Sequence, residues 1–159
     1  MVSVRTELMV PFSLPFDFDL GRGILTFTGS CLCIAVRYQI DQLDGPILHC
    51  HCATCRKAQA SAYASTARVL REHFSWIAGE DELQAFESSP GKLRKFCRHC
   101  GSHVLAERPA DPYVILRVAT LDVDPEQSTA MHIWTSHDVP WLTDEGDIPR
   151  HAEMPPPKR

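Results

Sequence analysis

A mainly β domain built from short strands is expected, and three observations point to it. Candidate strands recur at short intervals along the middle of the chain, separated by turn-forming Gly, Pro, Asp and Ser residues. Helical stretches are few, with one short turn over 53–58 as the candidate. The seven cysteines fall into tight clusters, which can pin together strands distant in sequence. At 159 residues the chain is long enough for one domain with a real core and too short for two comfortable ones. Hydrophobic content of 44% and charged content of 23% are ordinary for a globular protein.

Residues 1–25 read as an N-terminal extension: Pro11 and Pro15 break any helix, and Phe12, Phe16 and Phe18 can anchor an extended arm. The domain is assigned to 26–150 and a C-terminal tail to 151–159. Ile34, Val36, Tyr38 and Ile40 alternate with Ala35, Arg37 and Gln39, the period of a half-buried strand leading out of the first cysteine pair. Asp44-Gly45-Pro46 is a turn, and Ile47-Leu48 lead into the central cysteines. Further strands are predicted over 61–67, 74–78, 83–87, 93–96, 102–107, 113–118 and 131–135. Gly79-Glu80-Asp81 and Ser88-Ser89-Pro90-Gly91 are the clearest turns between them. The stretch 141–157, rich in proline and acid, is expected to wrap the surface as coil, and Trp134 and Trp141 are read as packing residues.

The net charge of −4 provides no broad basic surface for nucleic acid, and Lys158-Arg159 is too small a patch to change that. No apolar run is long enough to span a bilayer. Met9-Val10-Pro11-Phe12 is brief, broken by proline and followed by Asp17 and Asp19, unlike an export signal. With an odd cysteine count, a reducing compartment and a cytoplasmic location are expected.

The chemistry centres on His49-Cys50-His51-Cys52-Ala53-Thr54-Cys55-Arg56-Lys57. Thiolates at C-x-C-x2-C spacing repel one another unless a cation neutralises them, and zinc is the usual intracellular cation for such a set. Neighbouring C-x-C side chains rarely meet disulfide geometry. The remaining cysteines form Cys31-x-Cys33 and Cys97-x2-Cys100, so the seven divide as four plus three. Four cysteines close a tetrahedral structural site, whereas three leave a coordination position for water or substrate. Cys97-Arg98-His99-Cys100-Gly101 has the form of a zinc knuckle, with Cys31 and Cys33 its natural partners. Pairing of Cys31 and Cys33 with Cys52 and Cys55 stays open, and His49, His51, His99 and His103 compete as ligands. Arg56 and Lys57 either favour the thiolate form or attract an anionic substrate, or else sit on a solvated turn.

Gly29-Ser30-Cys31-Leu32-Cys33, Cys50-His51-Cys52-Ala53-Thr54-Cys55-Arg56-Lys57, Ser88-Ser89-Pro90-Gly91, Arg94-Lys95-Phe96-Cys97 and Cys100-Gly101-Ser102 follow one another in order. Leu121-Asp122, His132-Ile133 and a closing Asp147-Ile148-Pro149 continue the series. The series, over about residues 27–150, resembles the glutathione-dependent formaldehyde-activating enzyme (GFA) family, which also contains centromere protein V. The resemblance implies a β-tent fold of short antiparallel strands in packed sheets that hold two zinc ions. It implies a structural zinc on Cys31, Cys33, Cys97 and Cys100, and a second, substrate-side zinc on Cys50, Cys52 and Cys55, which are then the catalytic residues. It implies a carbon–sulfur lyase-type reaction, condensation of glutathione with formaldehyde to S-hydroxymethylglutathione. Arg56, Lys57 and Arg94 are candidate contacts for the tripeptide's carboxylates. Ile34 and Ala60 stand where the family usually has glycine, and both are expected to reshape the backbone near the metal. Two other readings accompany this one: a zinc-stabilised binding module without turnover, and an enzyme acting on a different thiol.

Overall fold

A computed structural model describes residues 26–142. The expected N-terminal arm, the motif Asp147-Ile148-Pro149, and the coil beyond residue 142 lie outside the described residues. The strands are β1 (Phe27–Ser30), β2 (Arg37–Ile40), β3 (Ile47–Cys50), β4 (Ala64–Leu70), β5 (Phe74–Ala78), β6 (Leu83–Ser89), β7 (Lys92–Cys97), β8 (His103–Glu107), β9 (Tyr113–Arg117) and β10 (Thr129–Ile133). One α-helix, α1 (Ala53–Gln59), follows β3. The domain is mainly β, as its sequence pattern predicts.

Two sheets form. A three-stranded sheet has the order β1-β2-β5, and a seven-stranded sheet has the order β10-β3-β4-β9-β8-β7-β6. Neighbours are antiparallel except for β10 and β3, which run parallel. The core gathers Val36, just before β2, and Tyr38 and Ile40 of the small sheet with Val69, Leu105, Val114 and Leu116 of the large one. Tyr38 stacks on Phe74 with ring centroids 5.4 Å apart. Its buried hydroxyl is bonded to Thr120 Oγ1 at 2.7 Å, so the one polar atom of the ring has a partner. Gly29 lies against that ring, where a Cβ would come within 2.1 Å of Tyr38 Cζ. Burying these apolar side chains between the sheets is the main stabilising term, at roughly 1.5–3 kcal/mol for each large one.

Several boundaries differ from the sequence expectation. The alternation from Ile34 holds for Val36, Tyr38 and Ile40, all fully buried, but Ile34 itself is 60% exposed. Its amide donates to Cys31 O at 2.9 Å and its φ is 57°. It therefore closes the cysteine turn, and the strand begins only at Arg37. The strand expected from Ser61 begins at Ala64, because Ser61 N still donates to Arg56 O at 3.2 Å in the turn that ends α1. Trp134 and Trp141 do not pack inside, being 59% and 66% exposed.

Alternation along β7 gives the large sheet two different faces. Leu93, Lys95 and Cys97 share one face with Leu105 and Glu107 of β8. There the buried Glu107 carboxylate is held by Arg71 at 2.7 Å and Lys95 at 2.8 Å. Lys92 and Arg94 project to the opposite face, and Arg94 reaches Cys55 there.

Candidate metal centres

All seven cysteines are free thiols, and they assemble into two groups. Cys31, Cys33, Cys97 and Cys100 form one; Cys50, Cys52 and Cys55 form the other; within each, the sulfur atoms lie within 4.8 Å of one another. The alternative pairing of Cys31 and Cys33 with the central cysteines is not the one the fold makes.

The four-sulfur group joins two loops. Cys31 and Cys33 sit between β1 and β2, while Cys97 ends β7 and Cys100 lies in the turn before β8. Gly101, at φ 74°, turns the chain back so that its amide donates to Cys97 O at 2.9 Å. Leu32 N donates to Ser102 Oγ across the two loops at 3.0 Å. The Sγ separations are 3.6 Å for Cys31–Cys33 and 3.7 Å for Cys33–Cys97. A disulfide would need about 2.05 Å, whereas metal–sulfur bonds of about 2.3 Å in a tetrahedron put sulfurs about 3.8 Å apart. The donor set, number and spacing fit a closed site for a thiophilic ion and are compatible with zinc.

The three-sulfur group is made by one short segment. Cys50 ends β3, Cys52 caps α1 by accepting from Cys55 N at 3.4 Å, and Cys55 lies within the helix. Cys50 Sγ and Cys52 Sγ are 3.6 Å apart, again the tetrahedral edge. Burial pushes the Cys50 thiol up to about 12, with Cys55 adding to the rise. Burial also opposes ionisation of Cys55, but bonds from Cys50, Cys52 and Arg94 outweigh it and hold that thiol below its ordinary range. The two neighbouring thiols are thus pushed in opposite directions.

The competing histidines are turned elsewhere. His51 is buried, with Nδ1 bonded to Asp138 Oδ1 and Nε2 to His132 Nδ1, the latter at 2.8 Å. His49 stacks on Tyr63 with centroids 4.2 Å apart, and its Nε2 meets Thr129 Oγ1 at 3.1 Å. Burial, followed by His132 and His51, lowers its pKa. His99 meets Glu82 at 2.6 Å, and His103 stacks at a tilt on Phe96. Among the described residues, no histidine or carboxylate joins either sulfur group.

The cationic candidates separate. Arg56 directs Nε to His51 O at 3.0 Å and Nη2 to His137 O at 3.1 Å, pinning the loop after β10 onto the cysteine segment. Lys57 is exposed on α1. Arg94 is only 5% exposed and points Nη2 at Cys55 Sγ from 3.8 Å. Arg117, which sequence reasoning missed, is 3% exposed; burial and then Arg94 lower its pKa to about 10, while the three thiols of the site act in the opposite sense. The available signal was a lone cation ending the apolar strand Tyr113-Val114-Ile115-Leu116. The Asp138–His51–His132 chain was also missed, since its members lie 81 and 87 residues apart in sequence.

A family model described as glutathione-dependent formaldehyde-activating enzyme matches residues 26–137. Curated relatives from Aspergillus flavus and Aspergillus oryzae, both provisionally named glutathione-dependent formaldehyde-activating enzyme, are each 25% identical over 101 residues. The match covers 60% of this chain and 52% of theirs, so the chain spans about half the length of these relatives. A crystal structure of a Rhodobacter sphaeroides protein has the same fold, with a TM-score of 0.54 at 24% identity over 65% of this chain and 98% of that one.

Proposed function

Because the chain belongs to the glutathione-dependent formaldehyde-activating enzyme family, we propose that it is a zinc-dependent, carbon–sulfur lyase-type enzyme joining a thiol, glutathione, to a small aldehyde. The observation that carries this reading is the three-sulfur group, its sulfurs within 4.8 Å of one another and Cys50–Cys52 at the tetrahedral edge, with both neighbouring histidines engaged elsewhere. Zinc at such a site would bind the incoming thiol and lower its pKa. In the reaction a bond forms between the thiol sulfur and the carbonyl carbon of formaldehyde. The C=O π pair becomes an oxygen lone pair, and the proton lost by sulfur ends on that oxygen.

Cys50, Cys52 and Cys55 would supply three of four ligands, and the α1 cap fixes Cys52 relative to Cys55. Arg94 stabilises the Cys55 sulfur as an anion. Arg56 fixes the His51 and His137 carbonyls. His51 is oriented by Asp138 at Nδ1 and shares a proton with His132 between its Nε2 and the facing Nδ1. Lys57, on the exposed side of α1, is free to meet a carboxylate of the tripeptide. Cys31, Cys33, Cys97 and Cys100 are structural in this reading.

The test uses the zinc-loaded protein with glutathione and carbon-13 formaldehyde, following adduct formation by NMR under conditions where the spontaneous reaction is slow. The expected result is a rate above background that disappears in Cys52→Ser. A rate equal to background in protein that holds two zinc ions rules out this substrate pair.

A further inference from the structure

The face of the large sheet beneath the three-sulfur group is more positive than that group requires. Arg94 and Arg117 are both more than nine-tenths buried. Arg94 uses Nη2 on Cys55 Sγ, but its Nε and Nη1 have no partner, and neither do Nε and Nη2 of Arg117. Among the described residues, neither arginine is paired with a carboxylate. Glu107 lies on the other face of the sheet, engaged by Arg71 and Lys95. Asp138 is engaged by His51. Half-buried Lys92 shares the arginines' face, and burial together with Arg94, Arg108 and Arg117 lowers its pKa.

An unpaired buried guanidinium is costly, because lost hydration is repaid only by an opposite charge or by hydrogen bonds. The compensation follows from counting charge. Among the buried charges, with half-buried Lys92 left in contact with solvent, three thiolates around a divalent cation carry one net negative charge, and two guanidiniums turn this into one net positive charge. A monoanion in the fourth position brings the buried group to neutrality, whereas a neutral ligand leaves a unit charge there. We propose that Arg117, acting with Arg94, makes the open coordination position of the Cys50–Cys52–Cys55 site selective for a monoanionic ligand, a thiolate above all, over neutral donors. Selection comes from the charge of the enclosure, so it extends to small anions that have no carboxylate to grip. The inference rests on the reading of the three cysteines as a metal site and not on glutathione as the substrate.

The experiment uses full-length protein loaded with cobalt, whose visible absorption reports ligand exchange at an open site. It is titrated with azide, an anion, with 2-mercaptoethanol, which binds as its thiolate and releases its proton to the buffer, and with imidazole as a neutral donor. In the parent, both anionic probes shift the spectrum at lower concentration than imidazole does. Arg117→Met weakens 2-mercaptoethanol and azide by about 10- to 100-fold, the loss of one charge-assisted interaction. Imidazole changes little, and Arg117→Lys restores most of the loss.

Equal weakening of anionic and neutral probes would mean a structural role and overturn the proposal. So would a parent protein that binds imidazole as readily as azide, an outcome that needs no variant to fold. Uptake of one cobalt only removes the metal reading and this inference together. Formaldehyde adduct formation tells the remaining cases apart. No adduct with the anion preference intact counts against glutathione alone; adduct formation without that preference counts against the inference alone.

Discussion

Replacing Ala60 by glycine is expected to stabilise the protein, the opposite of what the same change does inside a helix. Ala60 follows α1 in the left-handed region, with φ 48° and ψ 42°, and its amide closes the last turn onto Arg56 O and Lys57 O. An L-residue pays about 1–2 kcal/mol for that conformation, while glycine adopts it freely and loses about 0.5–1 kcal/mol more backbone entropy on folding. The methyl group is exposed, so little burial is lost. The net gain is about 0.5–1 kcal/mol.

Ile34→Gly provides the internal control. Its φ is 57°, and the same strain is relieved, but the side chain is 60% exposed, hence two-fifths hidden. Removing it forfeits about 1 kcal/mol of burial, so the net change is near zero. Urea unfolding at saturating metal, with unchanged m values, measures both. A midpoint that falls for Ala60→Gly, or a larger gain at 34 than at 60, would refute the reasoning.

Native mass spectrometry is expected to find two metal ions in the parent, one in a folded Cys52→Ser variant, and an unfolded Cys97→Ser protein, because Cys97 is fully buried within the four-sulfur group. Gly29→Ala should cost at least about 1–3 kcal/mol by overpacking. The added Cβ would sit 2.1 Å from Tyr38 Cζ and 2.7 Å from the Thr120 carbonyl oxygen, and a lowered thermal midpoint measures the cost. The His73 pKa is raised foremost by its bond to Asp44, at 2.9 Å. The stability it contributes is therefore full below its unfolded pKa of about 6.5 and fades as pH rises through the higher folded value. The urea-midpoint difference between parent and His73→Gln should accordingly shrink between neutral and alkaline pH, and a difference that grows would contradict the assignment.

The legible part of this protein was its local chemistry. The three-sulfur group and each of the two cysteine pairs follow from spacing within short segments, although which pairs meet stayed open, and β5 matches the stretch 74–78 because its pattern and flanking turns are self-contained. What stayed hidden depends on tertiary partners. β3 carried too short an apolar run to announce a strand, and it becomes one through pairing with β4 and β10. Arg117 gains its meaning only from the thiols placed above it by another segment. Ile34 fitted the strand alternation in sequence, yet the turn imposed by Cys31 and Cys33 takes it out of the core. At 34 and 60 the usual glycine is absent, but the left-handed backbone remains. Local conformation there is dictated by the surrounding loop and not by the residue that occupies it.

The parallel pairing of β10 with β3 has a consequence for how the molecule breathes. β10 is the terminal strand of its sheet and is exposed along most of its length, yet it positions His132 and leads into Asp138. Peeling it away would dismantle the histidine relay while leaving the four-sulfur clasp and the Tyr38 layer intact. Among the described strands, amide exchange should therefore be fastest along 129–133 and slowest around 36–40, so that the His51–His132 contact would be lost well before the domain melts.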